Sequence, residues 1–234
     1  MSFFTSLSIL ILVSLIQASL QLSSGIFLIF RHYASGKYSR KKVDNFTLLY
    51  LLGIETFSTV MFLSIYSFYF SIFYHFPNAE LHYFPWAMAG VCIALSVTSF
   101  LYYYRRKSRG TELFIRRKYA KNLILRAKNV KTKSDAFMLG CFANIAELIF
   151  VIPLFILAVV SINEFDILPR SPFAFLFIIS SIVPILTIIV LYNTGHNIAE
   201  IERRRIKDKP FFRFIIPLGY ILLAFTLLNM GLFK

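Results

Sequence analysis

Apolar residues run along this chain in six long stretches, at 3–30, 46–73, 84–104, 135–162, 172–192 and 211–233. Crossing about 30 Å of hydrocarbon takes roughly 20 helical residues, so each stretch is long enough to span a membrane. Strands of a membrane barrel read as short segments that alternate apolar and polar positions. These runs do not alternate, and the pattern predicts helices whose backbone groups are satisfied within each segment. The expected fold is all-α: a polytopic membrane protein with six transmembrane helices.

Composition agrees, with 58% hydrophobic and 18% aromatic residues against 15% charged. A net charge of +14 raises the question of nucleic acid, and the placement of the charge answers it. Of 25 Lys and Arg, 5 fall in Arg31 to Asn45, 12 in Arg105 to Lys133 and 5 in Asn193 to Pro210. These are alternate connections, after the first, third and fifth stretches, while the other connections carry Glu80, Glu164 and Asp166. Basic connections stay in the cytoplasm, so both termini are expected outside and the location is the cell membrane. No nucleic-acid role is expected. The first stretch opens without Lys or Arg and exceeds a signal peptide's apolar region, so it is expected to remain in the mature chain. Asn45-Phe46-Thr47 matches a glycosylation sequon but lies on the cytoplasmic side by this reading.

The longest connection divides the chain into a first three-helix half (1–104), a basic cytoplasmic connection (105–134) and a second three-helix half (135–234). With an odd number of spans before the join, the second half enters the membrane in the opposite sense, as in an inverted repeat. Within the connection, Ile115, Tyr119, Leu123, Ala127 and Val130 fall at helical spacing among basic residues. That pattern predicts an amphipathic helix on the inner leaflet, drawn to anionic lipid headgroups. Asp44 and Asn45 suit the start of the second span, Ser134 and Asp135 that of the fourth, and Asn193 with Gly195 the end of the fifth.

Two acids break the apolar runs, Glu55 and Glu147. An ionisable group at that depth costs about 2.5 kcal/mol or more and is a functional hypothesis by default. Helical spacing puts Gly140, Asn144 and Glu147 on one face, Ser58 and Thr59 beside Glu55, and Ser14, Gln17, Gln21 and Ser24 on a stripe of the first span. Carboxylates with amide and hydroxyl oxygens suit a cation or protons, so Glu55 and Glu147 are also the candidate ligands should a metal ion bind. If the two acids are close, one holds a proton until a cation arrives, which supplies proton coupling. Pro153, Pro184 and Pro217 each free a backbone carbonyl, and Ser180, Pro184 and Thr187 share a face. Cys92 and Cys141 lie within spans and offer no disulfide framework.

This topology, with the small-residue segment Leu20-Gln21-Leu22-Ser23-Ser24-Gly25 in the first span, resembles the lysine exporter superfamily of amino-acid, cadmium and manganese exporters. The proline often found in that segment is missing here. The resemblance implies efflux of a small solute, with Glu55 and Glu147 standing in for the intramembrane acids of the manganese exporters. Thiol-disulfide carriers of the same general fold use a cysteine in the first helix, and this chain has none there. The expected function is therefore an exporter or exchanger of a cation or amino-acid-like solute. The alternatives are a membrane-embedded enzyme acting on lipid or protein, and a non-catalytic accessory protein. Against the enzyme, His32, His75, His82 and His196 lie near span ends with no ligand spacing among them.

Overall fold

The computed structural model describes residues 3–20, 22–75, 83–103, 117–163, 170–194 and 198–232. Among these it is all-α. The helices are α1 (Phe3–Ser19), α2 (Leu22–Ser35), α3 (Arg40–His75), α4 (Phe84–Thr98), α5 (Arg117–Lys128), α6 (Lys133–Ile145), α7 (Leu148–Asn163), α8 (Arg170–Ser180), α9 (Val183–Asn193) and α10 (Ile198–Leu232). A π-helical turn, Ser99–Tyr103, closes α4. Three segments are long and apolar enough to cross a membrane: α1 with α2, α3, and α4. The pairs α6/α7 and α8/α9 pass the same test as bent pairs, and α10 carries a shorter apolar stretch, Phe214–Asn229. Large side chains such as Leu63, Phe68, Phe175, Leu176 and Phe225 are exposed, as a lipid-facing surface requires.

Several boundaries differ from the sequence pattern. The run 135–162 is not one helix: α6 and α7 meet at 79° across Ala146 and Glu147. The run 172–192 is likewise two helices at 58°. Pro184 explains the second bend, because it occupies the first turn of α9, lacks an N–H and disfavours helix in the residue before it. Pro153 lies inside α7 and Pro217 inside α10, so neither breaks its helix. Helix α3 starts at Arg40, which leaves Asp44 and Asn45 inside it rather than at its start. At 36 residues it is about 54 Å long and exceeds the hydrocarbon thickness. The cap of α6 is Thr132, whose Oγ1 accepts from Asp135 N at 3.1 Å while Asp135 Oδ2 accepts from Thr132 N at 2.9 Å. Asp135 is thus the third residue of α6, one turn in from the expected end.

The amphipathic helix is present as α5, but its apolar face turns to protein. Leu123, Ala127 and Val130 are buried in a core shared with α2, α3 and α6. Tyr119 donates to Phe142 O at 3.1 Å, and burial pushes its hydroxyl above the ordinary range against the opposing pull of Arg126. Ile115 lies outside the described residues.

Two apolar cores stack along the bundle. One, at the end that carries α5, gathers Phe27, Phe30, Tyr50, Ile54, Leu139 and Ile185. The other gathers Val13, Ile16, Phe62, Leu154, Phe155, Phe177 and Tyr220. Each draws on residues before and after the basic connection. Helix α3 meets α6 backbone to backbone: a Cβ on Gly53 would overlap the Phe137 carbonyl, and one on Gly140 would overlap the Tyr50 carbonyl. Small residues permit such approach between membrane helices.

Gly53→Ala or Gly140→Ala is expected to lower unfolding stability by about 1 to 3 kcal/mol. Gly90→Ala, which meets nothing within 4 Å, is expected to be neutral or slightly stabilising, as helix propensity dictates. Thermal unfolding of the three variants in detergent checks both outcomes.

Candidate functional site

Two sharp helix bends come together between the two cores, beside the end of α1. Helix α6 gives way to α7 at Ala146–Glu147 and α8 gives way to α9 at Ser181–Ile182, and the last turn of α1, which ends at Ser19, lies against the second bend. At each bend the C-terminal end of one helix meets the N-terminal, positive dipole end of the next, with backbone bonds such as Glu147 N to Asn144 O and Ser181 N to Ile178 O tightening the turn. Six buried polar side chains, Gln17, Ser58, Asn144, Glu147, Ser180 and Ser181, gather at or beside these bends.

A hydrogen-bonded series links them. Ser180 Oγ, at the end of α8, donates to Phe177 O at 2.6 Å and stands 3.2 Å from Gln17 Oε1 near the end of α1. Its neighbour Ser181 donates to Glu55 Oε1 on α3 at 3.2 Å. Ser58 Oγ, one turn along α3, donates to Ser181 Oγ at 3.5 Å. Asn144 Nδ2, in the last turn of α6, donates to Ser58 Oγ at 2.8 Å and to Ile54 O at 3.4 Å. Gln17, Ser58 and Asn144 are buried, and Glu55 is half-buried. Gln17 Nε2 is buried without a hydrogen-bond partner, so the layer retains a donor that none of its side chains meets.

Glu147 sits at the bend itself, 5% exposed. Its carbonyl accepts from Phe150 N at 2.9 Å and Val151 N at 3.1 Å. The carboxylate side chain therefore starts α7, at the end of a helix whose dipole favours negative charge. The Tyr220 hydroxyl, which donates to Phe150 O at 3.0 Å, lies within electrostatic reach of Glu147 and Cys92. The two glutamates have different neighbours: Ser181 for Glu55, and the α6/α7 bend with Tyr220 within electrostatic reach for Glu147.

Of the residues singled out from the pattern, the structure joins Glu55, Ser58, Asn144 and Gln17 in this layer. Thr59 is half-buried and stands outside the series. Gln21 lies outside the described residues, as do His82, His196 and Gly195. Thr187 is exposed and bonds within its own helix to Val183 O, so of the α8/α9 face only Ser180 reaches the layer. Ser181 is the member that periodicity misses, because the bend turns it inward where a continuous helix would point it about 100° away from Ser180. Cys141 Sγ donates to Gly53 O at 3.2 Å, which marks it as part of the α3–α6 contact. Among the described residues no three His, Cys, Asp or Glu side chains gather as a metal-ligand group.

Asn144→Ala removes two donors and leaves the Ser58 and Ile54 oxygens buried with fewer partners. It is expected to cost about 1 to 2 kcal/mol, against less than about 0.5 kcal/mol for Thr187→Ala at the surface, as read from unfolding midpoints in detergent. Compared with known proteins, the chain matches no family model, no curated protein and no solved structure.

Proposed function

We propose that this is a membrane transporter for a small solute, with the polar layer as its substrate site. The observation that carries this reading is the coincidence of two sharply bent helix pairs with one buried hydrogen-bonded layer containing a carboxylate. Interrupted helices at mid-bundle expose backbone carbonyls and amides to a substrate, and irregular backbone at membrane depth is tolerated where it lines such a path. A continuous apolar bundle has no use for it. Glu55, half-buried and held by a single serine hydroxyl, offers the negative charge for a cation or an ammonium group. Glu147, at the α6/α7 bend, is placed to carry a proton or counter-charge as that bend changes.

The membrane arrangement that goes with this reading has six spans, counting each bent pair and the apolar part of α10 as one. The basic segments face the cytoplasm, both termini lie outside, and the halves 1–104 and 135–234 have opposite orientation. Efflux is the direction suggested by the resemblance to the lysine exporter superfamily, which rests on topology.

Transport of labelled cations and amino acids into and out of reconstituted vesicles tests the site. Glu55→Gln and Glu147→Gln are each expected to reduce the rate about tenfold or more, the equivalent of losing roughly 1.4 kcal/mol; unchanged transport in both variants would sink the assignment. Epitope tags at the two termini are expected to be cleaved by protease added to intact cells, whereas a tag between residues 105 and 116 is cleaved only after lysis.

A further inference from the structure

Away from the polar layer, the most unusual buried group is Arg31, which is 3% exposed near the end of α2. Its Nη1 donates to Thr47 Oγ1 at 3.3 Å, and its guanidinium carbon lies 4.3 Å from the centroid of the Tyr192 ring on α9. Nη2 stands 3.5 Å from Asp44 Oδ1. Nε is buried and has no partner.

A guanidinium grips an oxyanion best along the edge shared by Nε and Nη2, where two parallel N–H groups meet two oxygens. That edge is half engaged here, through one long contact to Asp44. A charged donor buried without a partner is costly, so the arrangement is suited to an anion with better geometry. Asp44 itself is 53% exposed and stands between this edge and the surroundings. Arg40, within electrostatic reach of Arg31, adds positive charge to the approach.

The surface next to Asp44 narrows the choice of anion. Asp44, Leu48 and Leu52 follow i, i+4, i+8 spacing on one face of α3, and Leu48 and Leu52 are 59% and 47% exposed. An oxyanion in place of Asp44 therefore lies at the head of an exposed aliphatic track. Free phosphate has no use for such a track, whereas a phospholipid supplies both parts.

We propose that the Nε–Nη2 edge of Arg31 is a docking site for the headgroup phosphate of an anionic phospholipid, which exchanges with Asp44 while its acyl chains lie along Leu48 and Leu52. The site is built from α2, α3 and α9 and holds whatever solute the polar layer takes.

The test is a titration of the full-length chain in uncharged detergent with phosphatidylglycerol, phosphatidylcholine or sodium phosphate, followed by the thermal unfolding midpoint. Phosphatidylglycerol is expected to raise the midpoint saturably, and the other two are not at the same concentrations. Asp44→Asn removes the competing carboxylate and is expected to lower the half-saturating lipid concentration about two- to fivefold, the loss of one long ion pair whose carboxylate is exposed. Arg31→Gln is expected to abolish the saturable response; if that variant does not fold, the Asp44→Asn titration decides alone. Equal shifts from phosphatidylcholine, or an Asp44→Asn response that is unchanged or weaker, overturn the site. An equal shift from sodium phosphate overturns the lipid as its ligand.

Discussion

The backbone contact between α3 and α6 governs the rest of the molecule. With no Cβ on Gly53 or Gly140, the two helices touch through the Phe137 and Tyr50 carbonyls. Only at that separation does a side chain as short as asparagine reach across: Asn144 finds Ser58 and the Ile54 carbonyl, and Cys141 finds Gly53 O. In a bilayer, where apolar surface gains nothing by leaving lipid, close packing and interhelical hydrogen bonds are what hold helices together. The glycine pair supplies the first of these and makes the second geometrically available.

From that contact the polar layer extends in both directions. Ser58 passes the series to Ser181 and Glu55, and Ser180 passes it to Gln17. Burying such groups is tolerable because most of them satisfy one another, and because cores of Phe, Ile and Leu lie above and below. The bends belong to the same economy of structure. A helix that ran straight through Ser181 would direct its hydroxyl away from Glu55, and one that ran straight through Glu147 would place its carboxylate along a helix flank rather than at the start of α7.

Much of this was legible in the residues. Polar side chains are so poorly tolerated in long apolar runs that Glu55, Ser58, Asn144 and Gln17 stood out, and helical spacing alone put them on facing stripes. The bend at Pro184 follows from a missing N–H. The bend at Ala146 and Glu147 does not, since Asn144 to Leu148 contains neither proline nor glycine; tertiary hydrogen bonding to α3 outweighs local helix propensity there. Gly53 carried no signal by itself, because its meaning lies in its partner on another helix. Arg31 read as one of several charges in a basic connection. Helix α2 runs on to Ser35 and carries it into the core, where Tyr192 and Thr47 surround it. The apolar face of α5 was visible, but whether it met lipid or protein depended on how α2 and α6 are placed.

That face of α5 has a mechanical consequence. Leu123, Ala127 and Val130 are buried between the two halves of the chain, and Lys37 and Tyr38 donate to the Lys128 and Val130 carbonyls at 3.1 Å each. The segment joining the halves is therefore a strap rather than a tether. With α5 strapped across one end, α3 clasped to α6 and Ser96 of α4 bonded to the Pro217 carbonyl of α10 at 3.0 Å, the halves form one frame that resists rocking as separate bodies.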